Sequence, residues 1–77
     1  MGLPVSTRDE LIARKGEVQG RMRSLRPKLE VAQASVEATT GVRQRYYAAR
    51  LASLQAELDG LMAEEARLRV EIDRSPR

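Results

Sequence analysis

The chain has 77 residues, of which 14 are basic and 11 are acidic, for a net charge of +3. It contains no cysteine and no histidine, which excludes a disulfide framework, a thiolate metal site and histidine-based acid-base chemistry. We treat residues 1–77 as one domain, and a single core of that size is only marginally stable. Because the arginines are mixed with glutamates, the small positive excess is typical of an exposed helical surface and indicates nucleic acid only weakly.

The first six residues form a short leader before the helical pattern begins. Gly2 and Ser6 match the N-terminal myristoylation pattern, which also arises often by chance. The sequence has no apolar run of about 18 residues, the length that a membrane span requires, and no signal-peptide pattern. Small domains without disulfides are typical of reducing compartments. We therefore expect a cytoplasmic protein that does not enter a membrane.

The first helix is predicted from about residue 8 to about residue 38. Thr7 and Glu10 form the pattern of a capping box, in which the threonine hydroxyl accepts from a backbone N–H and the carboxylate reaches back. From Leu11 to Val36, apolar residues recur at steps of four and three, the spacing that places side chains along one face of a helix.

Three residues inside this helix weaken it. Gly16, Gly20 and Pro27 have low helix propensities, which cost about 1 kcal/mol for each glycine and about 3 kcal/mol for the proline. All three lie outside the apolar face, and the apolar pattern continues through Pro27 without changing phase. We expect one continuous helix that bends near Pro27. In the alternative, the helix divides at Arg26, whose helical conformation the proline disfavours, and the chain forms three helices.

A turn at about residues 39–42 leads to a second helix, predicted from about residue 42 to about residue 74. Gly41 suits a left-handed helix end, and the threonines before it suit a cap for the next helix. Apolar residues recur from Tyr47 to Ile72 at the same steps of four and three, and Ser75 and Pro76 end the pattern. Two helices of matched length joined by a short turn predict an all-α fold, a two-helix antiparallel coiled-coil hairpin.

Heptad letters a to g name the positions along both helices, with Leu11 and Tyr47 at d. The apolar residues then form two rows, which we name the a row and the d row. A turn centred near Gly41 predicts that Leu25 lies opposite Leu58 and that the g positions of the two helices adjoin. Basic residues at g of the first helix then meet glutamates at g of the second, which favours the antiparallel arrangement. The expected pairs are Arg14 with Glu71, Arg21 with Glu64 and Lys28 with Glu57.

Two charged residues, Lys15 and Glu65, interrupt the a row. In the expected register they lie in adjacent layers, where they could pair and fix the register at some cost in stability. The sequence provides no histidine or second carboxylate beside them, so proton transfer is the weaker interpretation of this pair.

The e positions form the flank opposite the g positions, and most of them are neutral or apolar. Because a two-helix seam buries too little surface for a stable domain, we predict that this e flank binds a second copy or a larger partner protein. A second copy would complete a four-helix bundle. The alternative is a monomer whose glutamines and alanines are simply solvated. The predicted partner-binding residues are Ile12, Gln19, Gln33, Ala48, Gln55 and Met62.

The turn end is a second candidate site, because arginines there alternate with the only two aromatic residues of the chain. Such residues can contact phosphates and stack on bases. In the simpler interpretation, Tyr47 closes the seam and the arginines are solvated. The candidate nucleic-acid residues are Arg43, Arg45, Tyr46 and Arg50.

The sequence has no glycine-rich phosphate loop, metal-ligand cluster or nucleophile–base spacing. We therefore expect no enzymatic activity, no cofactor and no bound metal. The pattern favours a structural or adaptor module that self-associates or docks on a partner protein through a helical face. The alternative is a small RNA- or DNA-binding hairpin that uses the basic turn end.

Overall fold

The computed structural model describes residues 7–75, which form two antiparallel α-helices. Helix α1 spans Arg8–Ala38 and helix α2 spans Gly41–Arg74. The helices pack side by side in an elongated body of 59 × 20 × 16 Å. The predicted helical hairpin is therefore confirmed. Gly2 with its myristoylation pattern, and Pro76, lie outside the described residues.

Thr7 caps the start of α1. Its hydroxyl oxygen accepts a hydrogen bond from the backbone N–H of Glu10 at 3.1 Å, and its carbonyl accepts one from Leu11 at 3.0 Å. The return bond from the Glu10 carboxylate is absent from the hydrogen bonds of residues 7–75. The structure therefore contains one half of the predicted capping box, and that half satisfies one of the N–H groups that a helix start leaves without a partner.

Helix α1 is continuous through Pro27, so the three-helix alternative is wrong. Proline has no N–H to donate to the carbonyl four residues earlier, and its ring crowds that carbonyl. Pro27 is exposed, so that carbonyl is on the outer side of the hairpin, where water can bond to it. The bend expected near this residue stays a prediction.

The link between the helices consists of Thr39 and Thr40, both with extended backbones. Gly41 follows with a φ of 68°, a left-handed conformation that residues with a Cβ rarely adopt. Helix α2 therefore begins one residue earlier than the sequence predicts, and the link is shorter.

Side chains cap the end of α1, which has no basic residue in its last turn. The Thr39 hydroxyl donates to the carbonyl of Ser35 at 2.6 Å, and the Gln44 amide donates across the turn to the carbonyl of Val36 at 3.1 Å. These two bonds satisfy carbonyls that the helix itself leaves without donors. The Gln44 bond also holds the start of α2 against the end of α1.

The two helices close along the d row. All the hydrophobic residues that are buried in the hairpin occupy d positions, whereas the apolar a-row residues packed against them are only half-buried. The core is thus one residue wide along most of its length. The buried residues are Leu11, Val18, Leu25, Ala32, Leu54, Leu61 and Leu68, and the half-buried ones are Met22, Leu29, Leu51, Leu58 and Ile72.

Within residues 7–75, three side-chain hydrogen-bond contacts join the helices, and the two nearest the ends of the seam indicate their register. At the open end Arg14 binds Glu64, and at the turn Gln44 binds the carbonyl of Val36. The predicted partner of Arg14 was Glu71, one heptad further along α2. The shorter link explains the difference, because it moves every residue of α2 toward the open end relative to α1.

The same shift changes the pairs within the core. Counting eleven residues inward from each of the two contacts brings Leu25 level with residues 53–55, so the buried Leu25 faces the buried Leu54. The sequence predicts Leu58 in this place, about one helical turn further along α2.

Candidate functional site

One ion pair joins the two helices along the g flank. The Nε of Arg14 donates to Glu64 at 2.8 Å, and its Nη1 donates to Glu17, three residues along α1, at 3.2 Å. The hydrogen bond and the negative charge of Glu64 raise the pKa of Arg14 above its ordinary value. The g positions do adjoin in an antiparallel pair, as the sequence predicts.

The other predicted g-flank pairs do not form. The ion pairs of residues 7–75 include neither Arg21 with Glu64 nor Lys28 with Glu57. Their absence follows from the register, which gives Glu64 to Arg14.

Glu65 binds polar residues of the e flank instead of Lys15. Its carboxylate accepts from the Gln19 amide at 3.1 Å and from Arg69, one turn along α2, at 2.8 Å. The predicted pairing with Lys15 is absent from the ion pairs of the described residues. The Glu65 side chain is only 16% exposed, so these two donors offset the cost of burying much of its charge.

The predicted e-flank residues lie on one side of the hairpin beside the a row. Ile12 and Met62 are 48% and 51% exposed, large fractions for such apolar side chains. Gln33 and Gln55 line a shallow groove whose floor is apolar, while Gln19 is half-buried by its contact with Glu65. Ala48 is exposed, and the apolar floor between the two glutamines consists of Leu29, Leu51 and Leu58.

The sequence interpretation missed the a row as part of this face. It treated both rows as interior, but two cylinders in contact can fully cover only one row of side chains. The apolar stripe of a core-facing helix is at least about 100° wide, more than a single partner helix covers. The width of the stripe was the signal that could have revealed the a row as exposed.

The basic turn end is solvent-accessible. Arg43, Arg45 and Arg50 are exposed, and α2 has no acidic residue in its first turn. Tyr46 is 65% exposed, and its ring meets that of Tyr47 edge to face with centroids 5.3 Å apart. The structure thus brings the four predicted nucleic-acid residues to one end of the hairpin, within two turns of α2.

A groove of about 250 Å³ lies on the g flank near the turn, and we name it the turn groove. Apolar side chains form most of its surface, and two cations stand at its edges. The sequence interpretation did not predict this feature. Its lining residues are Pro27, Lys28, Val31, Ala32, Ser35, Tyr47 and Arg50.

Among residues 7–75, no three histidine, cysteine, aspartate or glutamate side chains are grouped so that they could hold a metal ion. Neither α1 nor α2 combines the length and the apolar character that crossing a membrane requires.

Comparison with known proteins gives no relative: no family model, no curated protein and no solved structure matches the chain.

Proposed function

We propose that this chain is a non-enzymatic structural or adaptor module that binds protein through its e flank. The preferred occupant is a second copy, which would complete a four-helix bundle, and a larger partner protein is the other occupant of the same face. The observation that supports this proposal is the half-exposed a row. It leaves apolar side chains accessible along the side on which Ile12 and Met62 are also exposed.

The exposed area also favours a partner. The chain of 77 residues exposes 6130 Å², whereas a globular monomer of this size exposes roughly 4,700 Å². A standard interface buries about 800 Å² on each partner. An interface of that size along the e flank would cover roughly 800 Å² of an excess of about 1,430 Å².

The position of the polar residues supports the same face. Leu29, Leu51 and Leu58 lie in the middle of the flank, with glutamines beside them and the Glu65 cluster toward the open end. Protein interfaces commonly have an apolar centre and a polar rim, and the rim here consists of glutamines together with the charged Asp59, Glu65 and Arg69.

The substitution Met62→Glu tests this proposal by sedimentation or light scattering at defined concentrations. We expect the wild-type chain to be a dimer at about 50 µM, a concentration at which a dimer with a micromolar Kd is almost fully formed. Met62→Glu should be monomeric there, because each copy would bury an unpaired carboxylate.

Val70→Glu is the matched control, since Val70 is 48% exposed on α2 but lies on the outer face at an f position. It should dimerise like the wild type. If Met62→Glu and Val70→Glu associate equally well, the e flank is not the interface. A wild-type chain that is helical but monomeric at the same concentration rejects the second copy and leaves the partner protein.

Nucleic-acid binding at the turn end is the second candidate, favoured by the exposure of Tyr46 beside three arginines. A fluorescent single-stranded oligonucleotide tests it by anisotropy over a range of salt concentrations. This function predicts an affinity that falls steeply with salt and is lost in Arg43→Ala/Arg45→Ala. Binding that ignores both changes would reject it.

A further inference from the structure

We propose that the turn groove binds an acidic amphipathic helix from another protein. In this complex, an apolar side chain of the partner helix enters between Val31 and Tyr47, and carboxylates of the same helix lie beside Lys28 and Arg50. The groove is on the g flank, opposite the proposed dimer face, so this inference does not depend on the proposed function.

The groove exists because the core is thin near the turn. Ala32 occupies a d position, whereas the other buried d positions of α1 hold Leu11, Val18 and Leu25. Its methyl group leaves space above the seam that a larger side chain would fill. Tyr47, the d residue near it on α2, is half-buried and forms one wall of the space instead of filling it.

The rim of the groove carries an exposed apolar surface. Val31 is 67% exposed, and the exposed ring of Pro27 lies one turn before it on α1. On α2, Tyr46 is 65% exposed in the adjoining depression, which shares Arg50 with the turn groove and also contains Glu57. A helix laid in the turn groove would place apolar anchors there, as helices do in such grooves, and its carboxylates would lie between Lys28 and Arg50 and away from Glu57.

The charges of the groove select an acidic partner. Lys28 and Arg50 line the same groove, no acidic residue lines it, and neither cation belongs to an ion pair within residues 7–75. This follows from the register, which places these two cations at the same level. Two facing cations repel, and a partner carboxylate between them would relieve that repulsion.

The lining favours a helix over a nucleic acid. Three of the lining residues, Pro27, Val31 and Ala32, have aliphatic side chains. The ring of Tyr47 is half-buried and packs edge to face against Tyr46, so little flat aromatic surface is left on which a base could stack. Single-stranded nucleic acids bind through aromatic faces and a continuous basic track. An apolar groove between two cations instead matches the apolar and acidic faces of an amphipathic helix.

A synthetic peptide provides the probe, and the protein's own tyrosines provide the signal. The peptide has about 14 residues, or about 21 Å as a helix, with leucine at every third or fourth position, flanking glutamates and no aromatic residue. A matched peptide carries lysine in place of each glutamate. The only aromatic residues of the chain are Tyr46 and Tyr47, so a change in tyrosine fluorescence on titration reports on this region alone.

We expect the glutamate peptide to change the tyrosine signal saturably and the lysine peptide to bind at least about tenfold more weakly. Lys28→Glu/Arg50→Glu should reverse this preference, because the repulsion between two cations becomes repulsion between two carboxylates. Both cations are exposed, so circular dichroism should show an unchanged helix content. Arg67→Glu, an exposed cation of α2 that lines none of these grooves, should leave the preference unchanged.

A second pair of variants tests the apolar contribution. Val31→Gln should weaken binding of the glutamate peptide several-fold without changing the charge, whereas Val70→Gln, exposed on the outer face, should not. The proposal is overturned if the two peptides bind the wild type equally, or if charge reversal leaves the preference unchanged.

Two further outcomes would assign the groove to another occupant and also overturn the proposal. One is that an oligothymidine changes the tyrosine signal while the glutamate peptide does not. Its length would be about ten nucleotides, enough to span one typical binding site for a single strand. The other is that Lys28→Glu/Arg50→Glu alters the sedimentation of the chain alone, which would place a second copy in the groove.

Discussion

Gly41 is the residue on which the turn depends. Its φ of 68° lies in the left-handed region, and a Cβ added there would meet no atom within 4 Å. A substitution would therefore be strained by the backbone alone, without any contribution from crowding. This separates the conformational role of the glycine from its small size.

We expect Gly41→Ala to lower the free energy of unfolding by about 1–2 kcal/mol, the cost of holding a residue with a Cβ in this conformation. Urea unfolding followed by circular dichroism, at one fixed protein concentration, measures the change. Gly60→Ala is the control, since Gly60 is helical and equally uncrowded. It should raise stability by about 0.5–1 kcal/mol. If both variants change stability in the same direction, the turn geometry described here is wrong.

At the scale of the helices, the sequence predicts the elements well and their register poorly. The bounds of α1 follow from the Thr7 cap and the apolar pattern, both of which are local signals. The register is different, because heptads repeat: sliding one helix past the other by a turn or a heptad still places apolar side chains opposite one another. The length of the link decides between these arrangements, and Gly41 was compatible with more than one link.

A pair of engineered cysteines distinguishes the two registers. Leu25→Cys/Leu54→Cys should form an intrachain disulfide under mild oxidation, because the contacts at the two ends of the seam bring these buried d residues level. Leu25→Cys/Leu58→Cys should oxidise more slowly, since the second residue lies about one turn away along α2. Mobility on a non-reducing gel measures the extent of reaction. Preferential oxidation of the second pair, in a protein that is still helical, would support the register predicted from the sequence.

At the scale of the whole molecule, the candidate sites also differ in how far the sequence predicts them: local patterns are predictable, whereas features that depend on the packing of the two helices are not. The e flank could be proposed as a candidate site from the sequence, because its mostly neutral and apolar residues contrast with the charged g positions. The half-exposure of the a row was harder to predict. Lys15 and Glu65 interrupt that row and the apolar stripe is wide, but only the packing of the two helices shows which row is covered. The turn groove could not be predicted either. It forms where Ala32 of α1 lies near Tyr47 of α2, and the sequence does not determine which residues of the two helices lie at the same level.

The two-residue link also determines the order in which the arms of the hairpin come together. Residues beside the link are separated by a short loop, so the entropy lost when they meet is small, and each layer further away closes a longer loop. Once the Gln44 bond to Val36 has formed, each further layer of side chains pairs next to a layer that is already packed. The arms should therefore join first at the turn and separate first at the opposite end, where Arg14 and Glu64 provide the ion pair between them.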